Sequence, residues 1–342
     1  MSLTLRRPDD WHLHLRDGDA LHAVLPYTVA RFARAIVMPN LKPPVTTVAQ
    51  ALAYRERIVQ AVPYGARFEP LMSVYLTDKT DAGEVDRARH SGQVHGFKLY
   101  PAGATTNSDD GVTDIRRIDA VLARMAELDV VLQVHGEVTN PAVDVFDREA
   151  RFIDTVLVGL VERFPRLRIV FEHITTRAAA EFVRGSRPGI AATITPQHLL
   201  MNRNALFTGG IRPHHYCLPV LKTEADRRTL LDAIASGDPR FFLGTDSAPH
   251  ARSAKETGCG CAGIFSAPAG IELYAEAFEA IGALGRLEGF ASEHGPDFYD
   301  LPRNEERITL IKDSWEVPVC YPFGKEEIVP LRAGERVAWR IT

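Results

Sequence analysis

The sequence has few cysteines and no long apolar run. Its 342 residues include four cysteines, Cys217, Cys259, Cys261 and Cys320, too few for the disulfide framework on which small secreted domains depend. No stretch approaches the roughly 18 uninterrupted apolar residues of a membrane span. The opening residues, MSLTLRRPDD, lack the apolar core of a signal peptide. We therefore expect reduced thiols, no membrane association and a cytoplasmic location.

An excess of basic residues is also missing. Lys and Arg number 40 against 44 Asp and Glu, which gives a formal net charge of -4. Such a balance argues against a nucleic acid partner. No glycine-rich phosphate-binding motif opens the first helical segment, which weakens the case for a bound dinucleotide. These absences favour a small-molecule substrate.

Eight short apolar, β-branched runs recur along the chain, with helical patterns between them. The runs are WHLHL, RAIVMPN, PLMSVYL, HGFKLY, VVLQVHGE, RIVFEHI, IAATITP and RFFLGTDS. Helical periodicity marks residues 46–61, 114–128, 146–163, 223–236 and 267–280. This alternation predicts an α/β fold, a (β/α)8 TIM barrel, with a doubly wound open sheet as the alternative.

The pattern changes after Asp300. Three strand-like runs, RITLIKD, EEIVPL and ERVAWRI, follow without a convincing helix. We therefore predict a barrel over residues 1–300 and a short, strand-rich C-terminal appendage, packed on the barrel, over residues 301–342.

Polar side chains, all but one of them metal-compatible, lie at the ends of five predicted strands, where barrel enzymes carry their catalytic residues. In sequence order they are His12 and His14, Lys98, His135, His173 and Asp246. Any one histidine could be an ordinary core residue. Four imidazoles and a carboxylate at one rim, however, predict a site for two divalent metals.

Lys98 is the exception in this set. An ammonium group beside two cations would be repelled and desolvated, which favours the neutral amine. A neutral amine can add CO₂, and the resulting carbamate is an anionic group able to bridge two metals. A lysine that extends from the strand end toward solvent is the alternative.

Seven motifs together resemble those of the dihydroorotase family, in its bacterial homodimeric class within the amidohydrolase superfamily. They are DWHLHLRDGD, AIVMPNLKPPVTT, KLYPAGATTNSDDG, VHGEV, FEHITT, TITPQHL and LGTDSAPHARSAKE, and they run in order from about Asp10 to Cys261. The resemblance implies a metal-dependent hydrolase on a TIM barrel. It would interconvert N-carbamoyl-L-aspartate and L-dihydroorotate in de novo pyrimidine biosynthesis and would be a homodimer.

The same resemblance implies the roles of individual residues. One Zn²⁺ would be held by His12, His14 and Asp246, and a second by His135 and His173. Carbamylated Lys98 and a hydroxide would bridge the two. The substrate carboxylate would be bound by Arg16, Asn40 and His250, and the ring amides by backbone groups near Leu218 and Ala262.

The implied reaction matches these residue types. Hydrolysis of a cyclic amide needs a nucleophile at neutral pH, a polarised carbonyl and a proton for the leaving nitrogen, and two metals can supply the first two. Asp246 is left for the third, as the general acid/base that moves a proton from the hydroxide to the ring nitrogen. The planar guanidinium of Arg16 suits a carboxylate, because it can form two parallel charge-assisted bonds.

The segment PAGATTNSDDG, residues 101–111, follows Lys98 closely and offers the hydroxyls of Thr105 and Thr106. We predict a lid over the site, with an ordinary surface turn as the alternative. The single C-x-C pair of Cys259 and Cys261 is weak evidence for a third metal site. The other histidines near the same rim, to which we assign no ligand role, are His198, His214 and His215.

Two other functions stay open at this point. A different cyclic-amide hydrolase, of the dihydropyrimidinase or allantoinase type, would have a substrate without the ring carboxylate that Arg16 and Asn40 would bind. A non-catalytic barrel partner would not need a complete set of metal ligands.

Overall fold

The computed structural model describes residues 1–342. Its strands in chain order are β1 (Ser2–Arg6), β2 (Asp9–Leu13), β3 (Arg34–Val37), β4 (Glu69–Tyr75), β5 (Val94–Leu99), β6 (Val131–Val134), β7 (Ile169–Phe171), β8 (Ile190–Ile194), β9 (Phe241–Leu243), β10 (Arg307–Ile311), β11 (Trp315–Glu316), β12 (Tyr321–Phe323), β13 (Glu326–Ile328), β14 (Arg336–Val337) and β15 (Arg340–Ile341).

The α-helices are α1 (Asp19–Val29), α2 (Val48–Ala61), α3 (Gly83–Ser91), α4 (Asp119–Leu128), α5 (Arg148–Phe152), α6 (Val158–Arg163), α7 (Arg177–Gly185), α8 (Pro196–Leu200), α9 (Glu224–Ser236), α10 (Arg252–Lys255), α11 (Gly270–Ala280) and α12 (His294–Tyr299). Short 3₁₀ turns lie at Ile115–Ile118, Arg203–Leu206, Pro213–His215, Ala267–Ala269 and Leu284–Arg286. Two π-helical turns lie at Ile153–Leu157 and Gly289–Glu293. None of these helices combines the length and the apolar character needed to traverse a bilayer.

Strands β2 to β9 form one sheet in chain order, and each strand pairs in parallel with the next. The last strand returns to the first. The backbone N–H of His14 donates to the carbonyl of Ser247 at 3.1 Å, and that of Asp246 donates to the carbonyl of His12 at 2.9 Å. The predicted (β/α)8 barrel is therefore confirmed, and the open sheet is excluded.

The predicted helices differ from the observed ones mainly at their ends. Helix α2 begins two residues later than predicted, because Thr47 caps it through a reciprocal pair of hydrogen bonds with Gln50. Thr223 caps α9 with Asp226 in the same way. The predicted segment 146–163 is helical from Arg148 onward, and a π-helical turn separates α5 from α6. The segments 114–128 and 267–280 each begin with a 3₁₀ turn.

The residues after 300 are rich in strands, as predicted. Strand β10 pairs antiparallel with β15 and also with β1, so the first strand of the chain joins the C-terminal sheet. The indole of Trp339 is fully buried and donates to Glu279 of α11 at 3.1 Å. These contacts attach the segment to the barrel. The division of the chain at residue 300 stays a prediction.

The main core lies between the barrel and its helices and includes Leu13, Phe97, Leu132 and Leu243. A smaller apolar cluster contains Trp11, whose ring stacks on Tyr299 at a centroid distance of 4.7 Å. A group of buried polar residues lies at the C-terminal ends of the barrel strands and forms the candidate site.

Candidate active site

Three of the predicted ligands lie together at the C-terminal rim of the barrel. Nε2 of His14 is 3.1 Å from Oδ1 of Asp246, and Nε2 of His12 is 3.4 Å from the same oxygen. The two imidazole Nε2 atoms are 3.3 Å apart. All three side chains are buried. One ligand atom from each lies within 4.8 Å of the others, an arrangement that can hold a metal ion.

Two further side chains orient these histidines. Nδ1 of His12 is 2.6 Å from Oε2 of Glu172, and Nδ1 of His14 is 2.8 Å from Oδ1 of Asn40. Each contact occupies the outer ring nitrogen and leaves Nε2 facing Asp246. A hydrogen bond of this kind fixes the tautomer and the orientation of a metal-binding histidine.

His135 and His173 extend the cluster. The ring centroid of His173 is 4.9 Å from that of His12 and 4.9 Å from that of His135. Nδ1 of His173 is buried without a hydrogen-bond partner. Nε2 of His135 is 2.8 Å from Oε2 of the buried Glu137. The four imidazoles predicted from the sequence therefore form one contiguous group.

Lys98 lies on β5, and its side chain is fully buried. The Nζ atom has no hydrogen-bond partner and lies 5.2 Å from the centroid of the Tyr100 ring. Burial lowers the pKa of Lys98 to about 8, although the carboxylates of Glu172 and Asp246 favour its charged form. Because a buried ammonium without an acceptor is costly, a larger fraction of neutral amine, the form that can add CO₂, is present here near neutral pH than at an exposed lysine.

Arg16 and His250 contact each other beside the cluster. A terminal guanidinium nitrogen of Arg16 is 2.9 Å from Nε2 of His250, and Nε donates to the carbonyl of Pro249 at 3.0 Å. Burial lowers the pKa of His250 to about 2, so its neutral ring can accept a hydrogen bond from the guanidinium. The hydroxyl of Tyr54 donates to the backbone carbonyl of Arg16.

Three of the predicted residues have left-handed backbone conformations. The φ angles are 58° for Arg16, 41° for His173 and 46° for Asp246. A non-glycine residue with positive φ carries a conformational cost, and such residues concentrate at functional sites. Each of the three lies two or three residues after the end of a barrel strand.

The segment 101–111 covers the site from one side. The hydroxyl of Thr106 donates to the carbonyl of Ala262 at 3.2 Å, and the amide of Asn40 donates to the carbonyl of Thr106 at 3.1 Å. The amide of Asn107 donates to the carbonyl of Asn40 at 3.0 Å. The segment is thus joined both to Asn40 and to the loop that carries Ala262.

Most of the predicted site residues line one cavity. It is lined by His12, His14, Arg16, Asn40, Thr105, Thr106, His135, His173, Leu218, Asp246 and Ala262, together with Tyr100, Ala248 and Gly263. Lys98 and His250 lie outside this lining, although Lys98 is next to Tyr100 and His250 contacts Arg16.

The sequence reading missed the two buried carboxylates that contact histidines of the cluster. Glu137 lies two residues after His135, and Glu172 immediately precedes His173, within the motifs VHGEV and FEHITT. An acidic residue beside a candidate metal-binding histidine was the available signal, since such histidines commonly donate to a carboxylate. Glu172, however, contacts His12 rather than its sequence neighbour.

The residues without an assigned ligand role have other contacts. His198 is buried, with Nε2 3.1 Å from the carbonyl of Pro219, and His214 pairs with Glu256 at 2.9 Å. His215 lies 2.8 Å from the carbonyl of Ala205. Cys259 is exposed, and all four cysteines are free. No group of three ligand side chains forms around the C-x-C pair.

Comparison with known proteins identifies the family of the chain. The model of the amidohydrolase family matches residues 10–315. The chain belongs to the amidohydrolase family. It is 66% identical to the dihydroorotase of Laribacter hongkongensis over 341 residues, which is 99% of each chain.

Solved dihydroorotases share the fold over the whole chain. The enzyme from Campylobacter jejuni superposes with a TM-score of 0.91 at 35% identity, covering 100% of this chain and 97% of that one. The Saccharomyces cerevisiae enzyme in complex with 5-fluoroorotic acid also gives 0.91, at 31% identity, covering 100% and 98%. Within its family, the chain is thus a dihydroorotase, a cyclic-amide hydrolase of pyrimidine biosynthesis.

Proposed function

We propose that this enzyme catalyses the reversible cyclisation of N-carbamoyl-L-aspartate to L-dihydroorotate at a site with two zinc ions. The observation that carries the proposal is the cluster of His12, His14 and Asp246, whose ligand atoms lie within 4.8 Å of one another. A second histidine pair lies beside it, and a guanidinium group for a carboxylate lies at its edge.

The donor chemistry of the site fits two divalent metals. His12, His14 and Asp246 would hold one ion, and His135 and His173 the other. Carbamylated Lys98 would bridge them, in keeping with a buried Nζ that has no hydrogen-bond partner. The unpartnered Nδ1 of His173 is a second buried atom whose need for a partner a metal could meet. When bound, two zinc ions acidify water and polarise the amide carbonyl.

Asp246 would act as the general acid/base. In hydrolysis its carboxylate takes the proton of the attacking water and delivers it to the ring nitrogen as the amide bond breaks. In cyclisation the same carboxylate removes a proton from the attacking ureido nitrogen. The Asp246 carboxylate lies against His12 and His14, and all three side chains line the cavity.

The substrate carboxylate would lie against Arg16, Asn40 and His250. The contact between Arg16 and His250 supports this, because a neutral imidazole beside the guanidinium leaves its positive charge free for an anion. Backbone groups near Leu218 and Ala262, which line the same cavity, would bind the ring amides. The yeast relative binds 5-fluoroorotic acid, and a carboxylated pyrimidine of this kind has the groups that such a pocket would recognise.

Thr105 and Thr106 would belong to a lid. The contacts of Thr106 with Asn40 and Ala262 support a closed position over the cavity. Closure excludes bulk water and strengthens the electrostatic interactions inside. The cytoplasmic location and the homodimer implied by the sequence motifs stay predictions.

A direct comparison of substrates tests the proposed specificity. Purified, metal-loaded enzyme should open dihydroorotate and should act poorly on dihydrouracil, which has the same ring amides without the carboxylate. A preference for dihydrouracil or allantoin would instead support a hydrolase of the dihydropyrimidinase or allantoinase type.

A further inference from the structure

Lys255 is a second buried lysine, at the end of the short helix α10 and outside the metal-ligand cluster. Its side chain is only 4% exposed. The Nζ atom donates to three backbone carbonyls, those of Tyr216 at 3.1 Å, Cys261 at 2.9 Å and Gly263 at 2.5 Å. No carboxylate forms an ion pair with it.

An ammonium group has three N–H donors, and here each of them meets one carbonyl. Burial lowers the pKa of Lys255 to about 8, so the group is mainly protonated at neutral pH. A shorter or uncharged side chain at this position leaves buried carbonyls without a partner, which is unfavourable. The carbonyls of Cys261 and Gly263 therefore depend on this side chain, and the carbonyl of Tyr216 has it as one of two donors.

These carbonyls belong to two segments that form one wall of the cavity. Tyr216 lies two residues before Leu218, and Cys261 and Gly263 flank Ala262, while Leu218 and Ala262 both line the cavity. The carbonyl of Tyr216 also accepts a hydrogen bond from the N–H of Gly263 at 3.0 Å. Lys255 thus links the two segments by hydrogen bonds to the backbone of both.

The orientation of one peptide group follows from these contacts. In a trans peptide the C=O and the N–H point in opposite directions. Because the carbonyl of Cys261 points toward Lys255, the N–H of Ala262 points away from it. The carbonyl of Ala262 accepts the hydroxyl of Thr106, so both polar groups of Ala262 have a fixed direction.

We propose that Lys255 is a positioning residue for substrate binding, which holds the backbone at Leu218 and Ala262 so that their polar groups meet the ring amides. The inference rests on the proposed function, which assigns that contact to these two residues. Lys255 itself touches neither the reacting atoms nor the proposed metal ligands.

Two substitutions and one control test the inference. Lys255→Met removes all three donors at similar length, and Lys255→Gln keeps a shorter amide donor. Arg252→Met is the control, since Arg252 lies on the same helix but is exposed and pairs with Glu256 and Glu327. For each protein, the measurements are kcat and KM for dihydroorotate, the Kd of 5-fluoroorotate, the metal content and the melting temperature.

We expect KM and the 5-fluoroorotate Kd to rise together in Lys255→Met by about tenfold or more, the scale of losing bonds to a charged donor. Metal content should not change, and kcat should fall less than KM rises. Lys255→Gln should show a smaller rise, and Arg252→Met none. If Lys255→Met does not fold, the rise in Lys255→Gln carries the test.

Unchanged KM and Kd in a folded Lys255 variant would overturn the inference. So would a parallel loss of kcat, metal content and melting temperature without a change in Kd, since that pattern indicates a purely structural role. A wild-type enzyme that does not open dihydroorotate would contradict the proposed function instead, so the two failures are distinguishable.

Discussion

His12 and Glu172 are joined by a hydrogen bond of 2.6 Å between Nδ1 and Oε2, although they lie 160 residues apart in the chain. Glu172 also accepts the hydroxyl of Thr193 at 2.9 Å and is fully buried. Both contacts are to Oε2, which fixes that oxygen, while Oε1 has no hydrogen-bond partner. The carboxylate holds the His12 ring with Nε2 toward His14 and Asp246.

This relationship predicts the effect of replacing Glu172. Glu172→Gln should weaken metal binding by about 10–100-fold, because a metal-binding histidine loses the partner that orients it. Metal titration of the metal-free protein measures the change, and excess zinc should restore part of the activity. The control is Glu181→Gln, an exposed position on α7. Unaltered metal affinity in Glu172→Gln would argue against an orienting role.

The carbamate at Lys98 predicts a chemical rescue. Lys98→Ala should lose most of the activity, because the bridging anion is absent, and short carboxylic acids should restore part of it by occupying the same place. Turnover with and without added acetate or propionate measures the effect. The exposed Lys79→Ala should behave as wild type. A Lys98→Ala protein with full metal content and normal turnover would refute the bridge.

Replacing Arg16 should lower kcat/KM only for substrates that have the carboxylate. Removing one partner of a buried charge-assisted pair costs about 2–5 kcal/mol, so Arg16→Ala should lower kcat/KM for dihydroorotate by orders of magnitude. An analogue without the carboxylate should be affected little. The control is Arg57→Ala, whose partner is the partly exposed Asp17. Equal losses for both substrates would show that Arg16 does not bind the carboxylate.

The lid predicts that two hydroxyl groups are needed for turnover. A double variant with Thr105→Val and Thr106→Val should reduce kcat strongly, since the contact with Ala262 is lost and the site stays open to water. Its metal content should remain that of wild type. Thr208→Val, at an exposed position, is the control. Near-normal kcat in the double variant would show that residues 101–111 are an ordinary surface turn and not a lid.

The sequence was sufficient for the barrel because buried parallel strands are nearly continuous apolar runs, and each of the eight runs overlaps one observed strand. It did not indicate β1, whose partner β10 begins about 300 residues later and whose existence depends on that pairing. The observed helix ends differ from the predicted ones where a capping residue such as Thr47 sets the first residue of the helix.

The candidate site, like the fold, could be predicted only in part. Residues that end a strand, such as His12 and His173, could be found because strand ends of a barrel meet at one rim. The hydrogen-bond partners of such residues could not be predicted, because the contacts of Glu172 with His12 and of Lys255 with Tyr216 join distant parts of the chain. The acidic residue in FEHITT marks Glu172 as a candidate partner of a histidine, but the motif does not indicate that this histidine is His12 and not His173.

The most direct test of the proposed two-zinc reaction is a dihydroorotate ring-opening assay on purified enzyme, together with elemental analysis of the same sample. We predict about two zinc ions per chain, as a two-metal site requires. Activity should disappear when a chelator removes the metal and should return when zinc is added. Full turnover of dihydroorotate by the metal-free protein would contradict the account.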